Sequence, residues 1–233
     1  MTELSDKVAK LMKALGGNAV KGDVSNYIDT GYPPLNKIIS GSYDNGIPYG
    51  RIVETFGLPS AGKTFIATQL MISAQKLGGI AVFIDWERSF KLDLAVESGL
   101  NGEFPFFIYK KPKTWEEGSI EAKKAIENIR ELKIIPDEAP ILVVFDSIAS
   151  AVPMSQLEKE VDQYTMNDTT ALARVTSSTL KVMGVLADEY NASLLYLNQI
   201  RTKPGVMFGD PTTTPGGSAL GFVATTRLSL SKS

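Results

Sequence analysis

The segment "GRIVETFGLPSAGKTFIATQLMISAQKL", residues 50–77, changes character twice. Its start, "RIVETF", is a short β-branched run of the kind found in sheets. Its end, from Lys63 onward, has the composition and spacing of a helix. Between them "GLPSAGKT" fits G-x-x-x-x-G-K-[ST], in the strand-then-helix context that this pattern requires. Glycines let backbone N–H groups turn inward around phosphate oxygens. The helix N-terminus adds partial positive charge. Gly57, Leu58, Pro59, Ser60, Ala61, Gly62, Lys63 and Thr64 are therefore expected to cradle a nucleotide's phosphates. Lys63 would reach the β- and γ-phosphates and the Thr64 hydroxyl would bind Mg²⁺.

Similar runs recur further along. They are "IAVFID" from Ile80, "FFIY" from Phe106, "ILVVFD" from Ile141, "SLLYLN" from Ser193 and "TTRLSLS" from Thr225. Most are continuously apolar, as strands covered on both faces are. Helical patterns lie between them, over residues 63–77, 115–132 and 170–190. The alternation predicts an α/β fold, a mostly parallel central sheet flanked by helices, with right-handed crossovers. "SYDNGIPYG", residues 42–50, reads as a turn-rich connection. At the N-terminus Leu4, Val8, Leu11, Met12 and Leu15 recur at helical spacing, and Gly16-Gly17 ends the run. Residues 1–30 are thus expected to be a helix and linker, packed on its own core or docked on a neighbouring subunit. Residues 31–233 form the core.

Composition narrows the chemistry. The 233 residues, 43% hydrophobic, suit one large α/β domain or one domain with a small appendage. With no cysteine and no histidine, disulfides, the common zinc sites and histidine-based catalysis are excluded. Acid–base work falls to carboxylates, lysine or tyrosine. A net charge of −2 does not suggest nucleic acid, so such a partner would need local contacts. No apolar run approaches the roughly 20 residues that span a bilayer. The N-terminus has no signal-peptide pattern. A cytoplasmic protein with no membrane partner is expected.

Two strand ends carry acids. Asp146 closes "ILVVFD" and would bind Mg²⁺ through water beside the phosphate loop. Asp85 and Glu87 close "FIDWERS". Two residues apart, they would face the same side of a continuing strand, and one of them would orient the attacking water. Spacing alone does not choose between them.

The block "NQIRTKPGVMFGDPTTTPGGSALGF", residues 198–222, reads as a long loop. Loops of that length are uncommon, and are usually functional or disordered. Arg201 and Lys203 can neutralise phosphates. Gly216, Gly217 and Ser218 precede a helical start whose N–H groups can grip a phosphate. Pro204, Val206, Met207 and Phe208 form an apolar tip able to wedge between bases.

Taken together these blocks resemble the RecA family of recombinases over residues 29–232. The phosphate loop alone places the chain only in a very broad class of NTPases. The 198–222 block is much narrower and resembles the family's second DNA-binding loop nearly residue for residue. The resemblance implies a RecA-like P-loop NTPase core using ATP and Mg²⁺. It implies that Glu87 activates the attacking water and that Gln199 senses the γ-phosphate. It further implies that residues 200–215 order on single-stranded DNA, that Arg174 is a basic residue at the DNA groove, and that Phe222 lies at a subunit interface. The expected activity is DNA-dependent ATP hydrolysis in homologous recombination and repair. A helical homo-oligomeric filament on single-stranded DNA would pair with homologous duplex DNA and exchange strands. Two alternatives remain: a ring-forming helicase or loader on the same core, which the 198–222 block opposes, and a non-hydrolysing ATP-binding DNA scaffold.

The chain also departs from the family. Residues 153–169 stand where the family has its first DNA loop, but match poorly and are acidic, with Glu158, Glu160 and Asp162 against Lys159. Trp86 and Arg88 replace a small residue and a histidine, and Arg88 is expected to alter coupling between subunits. The adenine-contacting positions after "FIDWERS" do not match clearly. The resemblance implies further strands beyond "TTRLSLSKS", with a basic pair that reaches a neighbour's ATP. The chain therefore reads as a trimmed form or as a very short member with altered catalysis.

Overall fold

The computed structural model describes residues 2–15, 24–160, 168–202 and 212–232. The chain runs through α1 (Thr2–Leu15), β1 (Tyr27–Ile28), α2 (Pro33–Ser40), β2 (Ile47–Pro48), β3 (Ile52–Gly57), α3 (Lys63–Lys76) and β4 (Ile80–Asp85). It continues with α4 (Leu92–Glu97), β5 (Phe107–Lys110), α5 (Trp115–Glu131), β6 (Ile141–Asp146), a 3-10 turn (Ile148–Ser150), α6 (Met154–Leu157) and α7 (Asp168–Glu189). The last elements are β7 (Ala192–Gln199), β8 (Arg201–Thr202), β9 (Thr212–Thr213), α8 (Ala219–Val223) and β10 (Thr226–Leu230).

The six runs read as strands form one sheet in the order β10-β3-β7-β6-β4-β5, and every pairing is parallel. Their continuous apolarity has a simple cause. Side chains alternate faces along a strand, and both faces are covered. Leu142 and Val144 of β6 pack with Leu70 and Met71 of α3. Ile141, Val143 and Phe145 of the same strand pack with Ile126 of α5 and Leu180 of α7. The helices start where local chemistry lets them. Thr114 caps α5 by accepting the Glu117 N–H, and the Glu117 carboxylate reaches back to the Lys113 N–H, closely following a capping box.

Two small antiparallel ribbons were not visible in the sequence. β1 pairs with β2, which lies within the stretch read as a turn-rich connection, and the ribbon buries Ile28 and Ile47. β8 pairs with β9, so the segment read as an irregular loop has a paired base, with Arg201 opposite Thr213. Lys203, Pro204 and the apolar tip lie outside the described residues. Among the described residues, no helix is long and apolar enough to cross a membrane.

Trp86 is a core residue. It stacks on Trp115 and Phe145, with ring centroids 5.3 and 6.0 Å away, and donates to the Thr114 carbonyl at 3.0 Å. Its bulk is admitted by Gly118 of α5, where any Cβ would collide with the indole.

Candidate nucleotide site and nucleic-acid face

Parallel register sets the candidate residues along one edge of the sheet. Gly57 lies opposite Gln199, and Asp85 lies opposite Asp146. Ligands bind beyond the carboxyl ends of strands in such sheets. A cavity of about 390 Å³ opens there, and Ser60, Lys63, Thr64, Glu87, Asp146 and Gln199 are among its lining residues.

Residues 57–64 join β3 to α3, the strand-then-helix context read from the sequence, and two of their glycines have separate structural causes. Gly62 takes φ +92° at the start of α3, with nothing within reach of a Cβ. Gly57 answers a constraint from the neighbouring strand, since a Cβ there would strike the Leu230 carbonyl of β10. Lys63 is nearly buried and donates to the carbonyls of Gly57 at 3.2 Å and Leu58 at 2.9 Å. Burial holds its pKa below the ordinary lysine range, while Glu87 and Asp146 oppose that shift. The Thr64 hydroxyl donates to Asp146 at 3.1 Å. Burial, then the charge of Glu87, pushes the Asp146 carboxyl up to about 7.

Asp85 and Glu87 do not face the same side. The strand ends at Asp85, and the chain then turns. Asp85 is buried and accepts from the Arg88 N–H at 2.6 Å, the Phe90 N–H at 3.3 Å and the Tyr109 hydroxyl at 2.6 Å. Burial and that bond push the tyrosine's pKa upward. Asp85 thus organises the turn, in which Arg88 sits at φ +58°. Glu87 points to the cavity. The N–H groups of Trp86 and Glu87 both donate to the Asp146 carbonyl, at 2.7 and 3.3 Å, which ties this corner to β6. The Glu87 carboxylate accepts from Ser147 at 2.5 Å, Ser150 at 3.4 Å and the Gln199 amide at 3.0 Å. Ser147 and Ser150 escaped sequence reasoning. Their place just after a strand ending in Asp was the available signal. Tyr109 left none.

The site fits a nucleotide with Mg²⁺. Among the described residues no group of three or more acids could hold a metal by itself. Thr64 and Asp146 offer two oxygens, and phosphate oxygens and water would supply the rest, as Mg²⁺ sites commonly arrange. A second cavity of about 290 Å³ shares Thr64 and Phe65 with the first, and is bounded by Phe90, Lys91 and Leu94.

The candidate nucleic-acid residues fall into two groups. Arg174 is exposed on α7, its guanidinium 2.8 Å from the Thr170 hydroxyl. Gly217 lies against Ala173 of the same helix at φ +77°, and Gly216 is buried against Ile148 and Thr176 at φ +86°. Both glycines are therefore explained by packing and backbone conformation. Ser218 leads into the short α8. Arg201 is exposed in the ribbon, two residues after Gln199.

Comparison with known proteins agrees with this geometry. A family model described as the RecA N-terminal domain matches residues 8–233. Proteins named RecA are similar along most of the chain. That of Kineococcus radiotolerans is 35% identical over 224 residues, covering 93% of this chain and 60% of that protein. That of Geobacter sulfurreducens is 35% identical over 211 residues, covering 88% and 58%. That of Aquifex aeolicus is 38% identical over 183 residues, covering 78% and 49%. The chain thus spans no more than 60% of the length of these relatives.

Proposed function

The chain belongs to the RecA family, and on that premise we propose that it is a DNA-dependent ATPase of homologous recombination. The reading has it assemble on single-stranded DNA and pair that strand with a homologous duplex. One observation carries it: the Gln199 amide bonded to Glu87 in the nucleotide cavity. That contact joins the group best placed to activate water to the residue from which the 200–215 segment departs.

In this reading Lys63 leaves the carbonyls of its own loop and donates to phosphate oxygens. Thr64 and Asp146 hold Mg²⁺, which when bound neutralises charge on the transferring phosphoryl group. Glu87, oriented by Ser147 and Ser150, takes the proton of the attacking water. The base occupies the cavity bounded by Phe90 and Leu94, beside Phe65. With a γ-phosphate present, the Gln199 amide donates to it instead of to Glu87. That exchange frees the carboxylate and shifts the start of the 200–215 segment, so one phosphate biases the DNA contacts read for Arg174, Arg201, Lys203, Pro204 and the Gly216–Gly217–Ser218 turn.

Gln199→Ala is expected to bind ATP yet lose the ATP-dependent gain in single-stranded DNA affinity. The check is DNA affinity with ADP and with a non-hydrolysable ATP analogue, at one salt concentration. Equal affinities in the unmodified protein would sink the switch. A difference preserved in Gln199→Ala would remove Gln199 from it. Linkage requires DNA to tighten ATP-analogue binding relative to ADP by the same factor.

For assembly, residues 1–30 are the docking element. Val8 and Met12 are exposed on α1. At the β5 edge of the sheet an apolar cavity of about 430 Å³ lies between β5 and α5, bounded by Ile108, Ala125 and Ile129, with Phe104 82% exposed at its rim. Docking of α1 into that cavity on the next copy is head-to-tail, and an interface of that kind that does not close gives a filament. Phe222, 86% exposed, would lie at the nucleotide-side contact. Deleting residues 1–20 should leave a folded monomer. Unchanged filaments of that deletion in electron micrographs would exclude the helix as connector.

A further inference from the structure

Glu54 is a fully buried carboxylate in β3, the strand that leads into the phosphate loop. A buried charge left without partners is strongly destabilising. Both oxygens of Glu54 are occupied. Oε2 accepts from Arg227 of β10 at 2.6 Å, and Oε1 accepts from the Asn198 amide of β7 at 3.1 Å. The Arg227 guanidinium also lies over the Phe56 ring, 4.8 Å from its centroid.

Asn198 is buried as well, and the same amide nitrogen donates to the Pro215 carbonyl at 3.0 Å. An amide nitrogen has two hydrogens, and here each has an acceptor. The amide oxygen accepts the Gln199 N–H at 3.0 Å. One side chain therefore touches Gln199, which precedes the 200–215 segment, and Pro215, which ends it. The carboxylate matters to this arrangement. Glu54 is an acceptor only, so it compels the amide to turn its nitrogen toward β3 and leaves its oxygen for the Gln199 N–H. Aspartate at 198 would have no donor for either acceptor, and would set a second carboxylate beside Glu54.

We infer that Asn198, seated on the Glu54–Arg227 pair, is a positioning residue that ties the two roots of the 200–215 segment together. A displacement at Gln199 is thereby passed to Pro215, and on to the Gly216–Gly217 turn packed against α7, directly through the sheet rather than along the chain between. The inference rests on the proposed reading of this segment as the DNA-binding part of the molecule.

The test uses the full chain and a fluorescent single-stranded oligonucleotide. Its affinity is measured with ADP and with a non-hydrolysable ATP analogue at fixed salt, alongside nucleotide affinity without DNA. Asn198→Asp and Asn198→Ser should bring the ratio of the two DNA affinities to within about twofold of one, while nucleotide affinity without DNA stays within about twofold of the unmodified protein's. A serine hydroxyl has one hydrogen, so it holds Glu54 or Pro215 but not both. Glu54→Gln leaves one acceptor oxygen for two donors, Asn198 and Arg227, so it should lower the ratio as well. Should Asn198→Asp fail to fold, Asn198→Ser decides. A merely structural role would lower the melting temperature of all three variants and leave the ratio intact. A preserved ratio in Asn198→Ser overturns the inference. A ratio of one in the unmodified protein overturns the underlying reading instead.

Discussion

Glu87→Gln is expected to bind nucleotide and DNA normally and to hydrolyse ATP at least ~10²-fold more slowly, the scale of a lost general base. That corresponds to about 2.7 kcal/mol of barrier. The substitution is well suited to the site. Glutamine keeps the side chain's size, and its amide oxygen can still accept from Ser147 and Ser150, which hold Glu87 Oε1. The corner itself is fixed by backbone bonds from Trp86 and Glu87 to the Asp146 carbonyl, which the variant leaves alone. Only the proton acceptor is removed. Asp85 is a poor substitute, because its oxygens are committed to the turn and to Tyr109. Phosphate release at saturating nucleotide and single-stranded DNA is the measurement, and turnover near the unmodified level would assign the role elsewhere.

Lys63→Ala should abolish turnover and weaken nucleotide binding about ten- to a hundredfold, as expected when a hydrogen bond to a charged group worth roughly 1.5–3 kcal/mol is lost. The lysine sits where burial already disfavours its charge, and Glu87 and Asp146 counter that effect. Its present acceptors are the carbonyls of Gly57 and Leu58, and the first of these also accepts the Ile200 N–H at 3.3 Å, so it keeps a partner when the lysine is removed. The variant should therefore fold. Calorimetric titration with an ATP analogue reads the loss, and unchanged affinity would remove Lys63 from the phosphate site.

The main sheet was legible in the sequence because each strand is an apolar run long enough to show its character, and because helix periods separate the runs. The ribbons β1–β2 and β8–β9 were not, since strands of two residues carry no period at all. The turn from β3 into α3 could be read locally, because its pattern uses consecutive residues. The choice between Asp85 and Glu87 could not. It depends on where β4 stops, and on a hydroxyl from Tyr109 in another strand. Glycines were legible as glycines but not for their causes. Gly57 yields to a carbonyl on β10 and Gly118 to an indole on β4's exit, and both contacts join residues far apart in the chain. Glu54 was hidden within "RIVETF", because nothing local marks a strand carboxylate that an arginine more than 170 residues later will neutralise.

The stacked pair Trp86 and Trp115 has an optical consequence. They are the only tryptophans in the chain; both are buried, Trp86 is stacked with Phe145 and Trp115 with Tyr196, and Trp86 is one residue from Glu87. Ultraviolet emission excited at the red edge therefore originates entirely from the buried core, with no background from the surface. Two parallel indoles at 5.3 Å also couple their transitions, which should imprint a paired signal on the near-ultraviolet dichroism. The protein thus carries an unlabelled chromophore at the corner where nucleotide occupancy would be felt, and its rearrangements can be timed by stopped-flow without attaching a dye.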